Sequence, residues 1–111
     1  SVYWTNAGTS GRNYTDGTIM KAPISGGTPS ALVTGQNNPQ YVVVDTNYVY
    51  WTNEGAMTGG NGTVMKAPAR GGASVALAVG QNRPLGISID ATHVYWTDYF
   101  TPGTVMKISK N

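Results

Sequence analysis

The chain carries its apolar residues in short runs that alternate with clusters of Gly, Pro, Asn and Asp. Runs rich in β-branched and aromatic residues, bounded in this way, are typical of β-strands separated by turns. The clearest stretch predicts four consecutive strands, at Tyr41–Val44, Tyr48–Thr52, Thr63–Ala67 and Ser74–Val79. No segment shows a sustained helical period bounded by capping residues, so we expect an all-β fold with little or no helix.

The same pattern occurs three times along the chain. One repeated word, Val-Tyr-Trp-Thr followed by Asn or Asp, begins at Val2, Val49 and Val94, and a second, Gly-Thr-Ile/Val-Met-Lys, begins at Gly17, Gly62 and Gly103. Successive copies lie 41 to 47 residues apart, a spacing that suits a unit of four short strands. The sequence therefore predicts ten strands in a single segment: three in residues 1–37, four in 38–82 and three in 83–111.

Taken in order, these words resemble the YWTD repeats of lipoprotein-receptor β-propellers, a family of six-bladed rings. The tetrapeptide Tyr95–Asp98 matches that motif in all four letters, whereas Asn6 and Asn53 replace the final Asp in the other copies. The remaining repeated words are similar to those of bacterial secreted propeller proteins. The resemblance implies a β-propeller segment of about 2.5 four-stranded blades, a binding or scaffolding role, and an extracellular, secreted location.

Ten strands at four per blade leave the first blade without an inner strand and the last without an outer one. Because each blade of a propeller packs between two neighbours, an open arc would expose two apolar faces and two unpaired edges. Alternation along the strand places Val49 and Trp51 on one face and Tyr50 on the other, so both faces need a cover.

Two kinds of neighbour can bury these exposed faces, and the sequence does not choose between them. Copies of the chain can associate head to tail into a closed ring, with a dimer favoured because the family it resembles has six blades. Alternatively, the remaining blades belong to a longer propeller, and this segment is then a fragment of a lyase-like or hydrolase-like protein with a site near the ring axis.

Composition narrows the chemistry that the chain can perform. It has no Cys, one His, 7 Lys and Arg, 5 Asp and Glu, and a formal net charge of +2. These features exclude disulfides and thiolate metal sites, and they argue against nucleic acid as a partner. The longest apolar runs are far shorter than a membrane span, which argues against membrane insertion. His93 has no nucleophilic or acidic partner in the sequence, so we expect a non-catalytic protein with no metal and no cofactor.

The loops that follow the Val-Tyr-Trp-Thr word vary in length while the scaffold repeats, and binding residues concentrate in such loops. The candidates are Arg12, Tyr14, Glu54, Met57, Tyr99 and Phe100 in the loops, with Asn37 and Arg83 in the links between repeats. Aromatic rings beside amides suit a glycan or a peptide. A lectin-like propeller is therefore the alternative to a scaffold, and the competing interpretation is that these side chains only pack against the sheets.

Other repeated residues are expected to be structural. Trp4, Trp51 and Trp96 are predicted to pack between blades, and Asp45 and Asp90 to close tight turns. The lysines Lys21, Lys66 and Lys107 have two interpretations. They extend to solvent, which we favour, or they form a ring that attracts an anion near the axis.

Overall fold

The computed structural model describes all 111 residues of the chain. Its ten strands are β1 Val2–Asn6, β2 Gly17–Ala22, β3 Ser30–Gln36, β4 Pro39–Val44, β5 Tyr48–Asn53, β6 Gly62–Pro68, β7 Val75–Gln81, β8 Pro84–Ile89, β9 His93–Asp98 and β10 Thr104–Ser109. A single turn of 3-10 helix, Ser10–Arg12, is the only other regular element. The all-β class and the count of ten strands are confirmed. The four strands predicted in the central repeat lie within two residues of the observed ends.

The strands form three antiparallel sheets, each a simple meander. Sheet A has the order β1-β2-β3, sheet B the order β4-β5-β6-β7, and sheet C the order β8-β9-β10. The repeated words pair in the same register in every sheet: Trp4 lies opposite Met20, Trp51 opposite Met65 and Trp96 opposite Met106. The sequence repeat is therefore a structural repeat.

Acidic side chains and glycines shape the turns and bulges. Between β4 and β5, the Asp45 carboxylate accepts hydrogen bonds from the backbone amides two and three residues ahead, at 2.9 and 2.8 Å. Asp90 accepts the equivalent bonds between β8 and β9. His93, which follows this turn, is the first residue of β9. Gly80, with φ of 66°, lies where β7 gains a residue against β6, a β-bulge that a residue with a Cβ would strain.

Sheet B packs between the other two, because its strands are apolar on both faces. Val49 and Trp51 point toward sheet A and pack with Ile19. Tyr50 points the other way and packs, in a second cluster, against Val94 and its neighbours in sheet C. The predicted division of the central strand between two faces is confirmed.

The sheets approach one another most closely along one side. The closest contacts between sheets are those of β1 with β4, and of β4 and β5 with β8, whereas the last strands of sheets A and B make no extensive contact with a neighbouring sheet. The three sheets therefore fan out from the side that β1, β4 and β8 form.

Candidate functional sites

The two interfaces between sheets repeat the same side-chain contacts, beginning with the lysines. Lys21 Nζ of sheet A donates a hydrogen bond to the carbonyl of Ala69, just after β6, at 3.2 Å. Lys66 Nζ of sheet B donates to the carbonyl of Lys110, just after β10, at 2.8 Å. Each acceptor lies three residues after the repeated lysine of its own sheet. Neither interpretation of the lysines drawn from the sequence holds for these two, because their ammonium groups bond the neighbouring sheet.

A threonine and a glycine contact the first strand of the next sheet. Thr52 Oγ1 donates to the carbonyl of Leu85 at 2.7 Å. Gly62 lies so close to the Pro84 ring that a Cβ at this position would overlap the ring carbons. The equivalent contacts between sheets A and B are Thr5 with Gln40 and Gly17 with Pro39. The repeated Gly is thus explained by the close approach of the next sheet.

Tryptophan indoles make a third repeated contact, which runs from the later sheet to the earlier one. Trp51 Nε1 donates to Gln36 Oε1 at 3.0 Å, and Trp96 Nε1 donates to Gln81 Oε1 at 3.2 Å. Both tryptophans are buried. Three kinds of polar contact and an apolar cluster therefore recur at each interface.

Sheet C has one bare face. Val105 occupies in sheet C the place of Val64 in sheet B, yet Val105 is 79% exposed and Val64 is fully buried. Thr97, the equivalent of the buried Thr52, is also exposed. Beyond β10 no further strand pairs, so this sheet ends in a free edge. We call the surface around Thr97 and Val105 the bare face of sheet C.

Sheet A has the complementary bare face. Val2 is 50% exposed, whereas its equivalent Val49 is fully buried, and Trp4 remains partly exposed on the same side. Trp4 is therefore not packed between two sheets as Trp51 and Trp96 are. On this face, Val2 and Trp4 hold the places of the sheet B residues that pack against sheet A.

On the variable-loop face, two of the candidate ligand residues bind each other. Arg83 and Glu54 form an ion pair with 2.6 Å between Nη2 and Oε2, and their side chains are only 15% and 7% exposed. Asn38 Nδ2 donates to the other oxygen of Glu54 at 3.0 Å. The Arg83 guanidinium lies 5.0 Å from the ring centre of Tyr99. This cluster ties the two links to the loops and leaves Glu54 little room for a ligand.

A cleft opens between the loops of sheets A and B. Its volume is about 400 Å³, and it is lined by Tyr14, Asn37, Asn38, Met57, Asn61 and their neighbours. Tyr14 and Met57 are 42% and 66% exposed. Of the residues chosen from the sequence, Tyr14, Asn37 and Met57 come together here.

The equivalent gap between sheets B and C contains a side chain. The Phe100 ring and the side-chain oxygen of Asn82 both lie close to Gly59. Phe100 and Gly55 occupy equivalent positions, since their backbone amides donate to the carbonyls of the equivalent residues Asn82 and Asn37, each at 3.2 Å. Gly55 has a φ of 75°, and a Cβ at this position would collide with Asn61. No side chain of residue 55 therefore enters the first gap, whereas the Phe100 ring enters the second.

The remaining candidates lie apart from the cleft. Arg12 has a side chain that is 75% exposed and approaches Asp16 at 3.9 Å. The His93 ring contacts the hydroxyl of Thr92 at 2.8 Å. Burial raises the pKa of Asp98, although the indole of Trp96 donates a hydrogen bond to it. No group of three or more His, Asp or Glu side chains is placed to hold a metal ion.

A larger depression of about 530 Å³ lies on the opposite face, among the short turns. Lys21 lines it, and its ammonium group already bonds the carbonyl of Ala69. This depression therefore belongs to the repeated interface between sheets A and B.

Comparison with known proteins finds no matching family model and no matching curated protein. None of the helical structure is long and apolar enough to cross a membrane.

Several residues that line the cleft or close the loops were not predicted from the sequence. Asn13 and Asn61 stand in the variable loops, and Asn61 Oδ1 closes its loop by accepting from the amide of Ala56 at 2.8 Å. The feature of the sequence that could have indicated these two residues is the concentration of Asn in the loops. Gly55 gave no signal, because its left-handed backbone, with φ of 75°, and its close approach to Asn61 are evident only in the folded chain.

Proposed function

We propose that the chain is a segment of a β-propeller and a non-catalytic, extracellular binding or scaffolding module that associates with itself head to tail. One observation carries the proposal: the two bare faces are the two halves of the interface that the chain already forms twice. The bare face of sheet C matches the sheet B face that packs on sheet C, and the bare face of sheet A matches the sheet B face that packs on sheet A. The fan of three sheets and their repeat of about 45 residues are typical of propeller blades.

The repeated contacts identify the pairs that this third interface would contain. Val105 and Tyr95 of one copy would pack on Val2 and Trp4 of the next. Lys107 would donate to the carbonyl of Ile24, because Ile24 lies three residues after Lys21, as Ala69 and Lys110 follow their own lysines. Ile24 is 78% exposed and so accessible. Two copies bring six sheets together, within the four to eight blades that are usual for propellers.

A second candidate is that the cover comes from further blades of a longer polypeptide, and the inner-strand contacts favour it. Thr52 and Gly62 contact the first strand of the next sheet, as described above. Sheet A has no strand equivalent to β4 or β8, so a head-to-tail dimer leaves Thr97 and Gly103 without those partners. A complete neighbouring blade would supply both.

Measurement of the mass in solution tests the association. We expect light scattering to give twice the chain mass of 11.7 kDa, and Val105→Asp to weaken the dimer by at least about tenfold, because it places a charge in an apolar interface. Val79→Asp is the matched control, since Val79 is 67% exposed on β7 and belongs to neither bare face. A mass of one chain together with cooperative unfolding would contradict the proposal, as would a dimer insensitive to Val105→Asp.

A further inference from the structure

The cleft between the loops of sheets A and B has the composition of a ligand site. Its volume of about 400 Å³ falls within the range of small-molecule pockets, about 300 to 1,000 Å³. Side chains from three segments of the chain line it: Tyr14 from the first loop, Asn37 from the link before β4, and Met57 from the second loop. The link and the second loop are held together by the bond from the Gly55 amide to the Asn37 carbonyl, so this part of the wall is fixed by backbone.

The polar groups of the cleft are neutral, and several are free. No charged side chain lines it. Of the charged candidates, Glu54 pairs with Arg83, and Arg12 is exposed beside Asp16. The side-chain amides of Asn13 and Asn37 make no hydrogen bond within the protein, so each offers a donor and an acceptor.

The apolar groups of the cleft are exposed beside those amides. The Tyr14 ring and the Met57 side chain present carbon surface to solvent at the same opening. A pyranose ring has a rim of hydroxyls, which both donate and accept hydrogen bonds, and faces of C–H groups. Amides satisfy the former and an aromatic ring or thioether packs against the latter.

We propose that this cleft is a binding site for a neutral saccharide, one ring of which contacts Tyr14 and Met57 while its hydroxyls bond the amides of Asn13 and Asn37. The site is independent of the association of the bare faces, because none of its lining residues lies on them. It is single in each chain, because the Phe100 ring lies in the equivalent gap between sheets B and C, against Gly59.

Other ligand classes fit the cleft less well. A nucleotide or a phosphorylated ligand calls for basic side chains at the site, and there are none in the lining. An extended peptide is commonly bound by the free edge of a sheet, but the cleft is lined by loop and link residues, none of which belongs to a strand.

The test is an NMR titration of the ¹⁵N-labelled chain carrying Val105→Asp, the substitution chosen above to weaken its association. The probes are the methyl glycosides of glucose, mannose, galactose and N-acetylglucosamine, with glucose 6-phosphate and a capped tetrapeptide as the charged and peptide arms. We expect at least one neutral glycoside to shift the amide resonances of Tyr14, Asn37 and Ala56 saturably.

Variants place the binding in the cleft. Asn37→Ala should weaken it by about tenfold, the loss of a well-aligned pair of hydrogen bonds. Asn13→Gly removes the other amide and retains the left-handed backbone of this residue, whose φ is 53°. Asn82→Ala is the matched control, since Asn82 holds the place of Asn37 beside the filled gap. Ala56→Phe, which adds an aromatic ring at the cleft wall, should abolish binding.

Three results would overturn the inference. The first is the absence of shifts with every neutral glycoside. The second is a stronger response to glucose 6-phosphate or to the peptide than to any neutral glycoside. The third is an equal loss of affinity in Asn37→Ala and Asn82→Ala. None of these bears on the mass of the unmodified chain, so failure of the saccharide site and failure of self-association are separate outcomes.

Discussion

Sheets B and C are built from the same repeated words, yet sheet B is buried on both faces and sheet C on one. Val64 and Val105 are both valines at the same register position, and they differ from full burial to 79% exposure. Local sequence therefore determines that these residues form strands, whereas the neighbouring sheet determines whether their side chains lie in a core. No other sheet of the chain packs on this face of sheet C, and its valine and threonine are therefore exposed.

The same comparison separates residues that stabilise the chain from residues that are available for association. Lys66 bonds the neighbouring sheet, while the equivalent Lys107 is exposed. A substitution should therefore lower the free energy of unfolding unequally at equivalent positions. The loss should be large where a neighbouring sheet packs on the residue and small where none does. Substitutions at matched positions can break this interpretation.

The largest difference is expected between Trp51 and Trp4. Trp51→Ala removes a fully buried indole and its bond to Gln36, and we expect the free energy of unfolding to fall by about 3 to 5 kcal/mol. Trp4→Ala, on the bare face of sheet A, should lower it by about 1 kcal/mol. Urea denaturation followed by circular dichroism measures both.

That measurement uses the Val105→Asp background, so that association does not bury Trp4. Trp51→Phe retains most of the apolar volume and serves if the alanine variant does not fold. Equal losses at Trp4 and Trp51 would contradict the difference between packed and bare faces.

Much of the fold could be predicted from the sequence because the same pattern of strands and turns occurs three times along the chain. Alternation along Tyr48–Thr52 was sufficient to divide Val49 and Trp51 from Tyr50. The partners of the lysines could not be predicted, because the acceptors are backbone carbonyls 44 and 48 residues away and any residue type supplies one.

The candidate site was less predictable, because its contacts join loop residues that do not repeat. Tyr14 and Asn37 could be chosen because variable loops and links stand out against a repeating frame. The pairing of Glu54 with Arg83 could not, since it joins two residues 29 positions apart that occur in only one copy each. The Phe100 ring enters the gap between sheets B and C, the cleft between sheets A and B has no equivalent ring, and only the packing shows this difference.

The next largest effect is expected at the repeated glycines. Gly62→Ala places a Cβ against the Pro84 ring and the Asn53 carbonyl, and overpacking of this kind destabilises by about 1 to 3 kcal/mol. At Gly103 the nearest atom to a new Cβ is the Asp98 carbonyl oxygen at 3.4 Å, an ordinary contact. Gly103→Ala should therefore leave the free energy of unfolding nearly unchanged.

This pair also distinguishes the two sources of cover. A head-to-tail dimer contributes no proline opposite Gly103, so Gly103→Ala should leave the dimer intact. In a longer propeller whose next blade begins with an equivalent proline, the same change should destabilise as Gly62→Ala does. Thermal unfolding of each variant provides the comparison, and a large loss at Gly103 in the isolated chain would contradict its exposed position.

The smallest effect on stability is expected when the pH is lowered. The equivalent turns of sheets B and C provide the comparison. Burial would raise the pKa of Asp45, but hydrogen bonds from the Tyr48 amide, Lys110 and Tyr50 outweigh it and lower the pKa to about 2. Because this value lies below the 3.8 of the unfolded chain, the carboxylate stabilises the fold fully above about pH 4. That contribution is lost as the pH falls through about 2. Because Asp45 is partly exposed, we expect its contribution to the free energy of unfolding to be only about 1 kcal/mol. Asp45→Asn should flatten the decline in urea midpoint between pH 5 and pH 2.

The control for that decline lies in the equivalent turn of sheet C. The Tyr95 hydroxyl and two backbone amides also lower the pKa of Asp90, but no lysine contacts it. The ion pair of Asp45 with Lys110, at 3.0 Å, spans sheets B and C and has no counterpart in the other turn. Lys110→Met should therefore reduce the acid sensitivity that Asp45 causes and leave that of Asp90 unchanged. If Lys110→Met had no effect on the decline while Asp45→Asn removed it, the turn hydrogen bonds alone would account for the low pKa, and the ion pair would not stabilise the interface between these sheets.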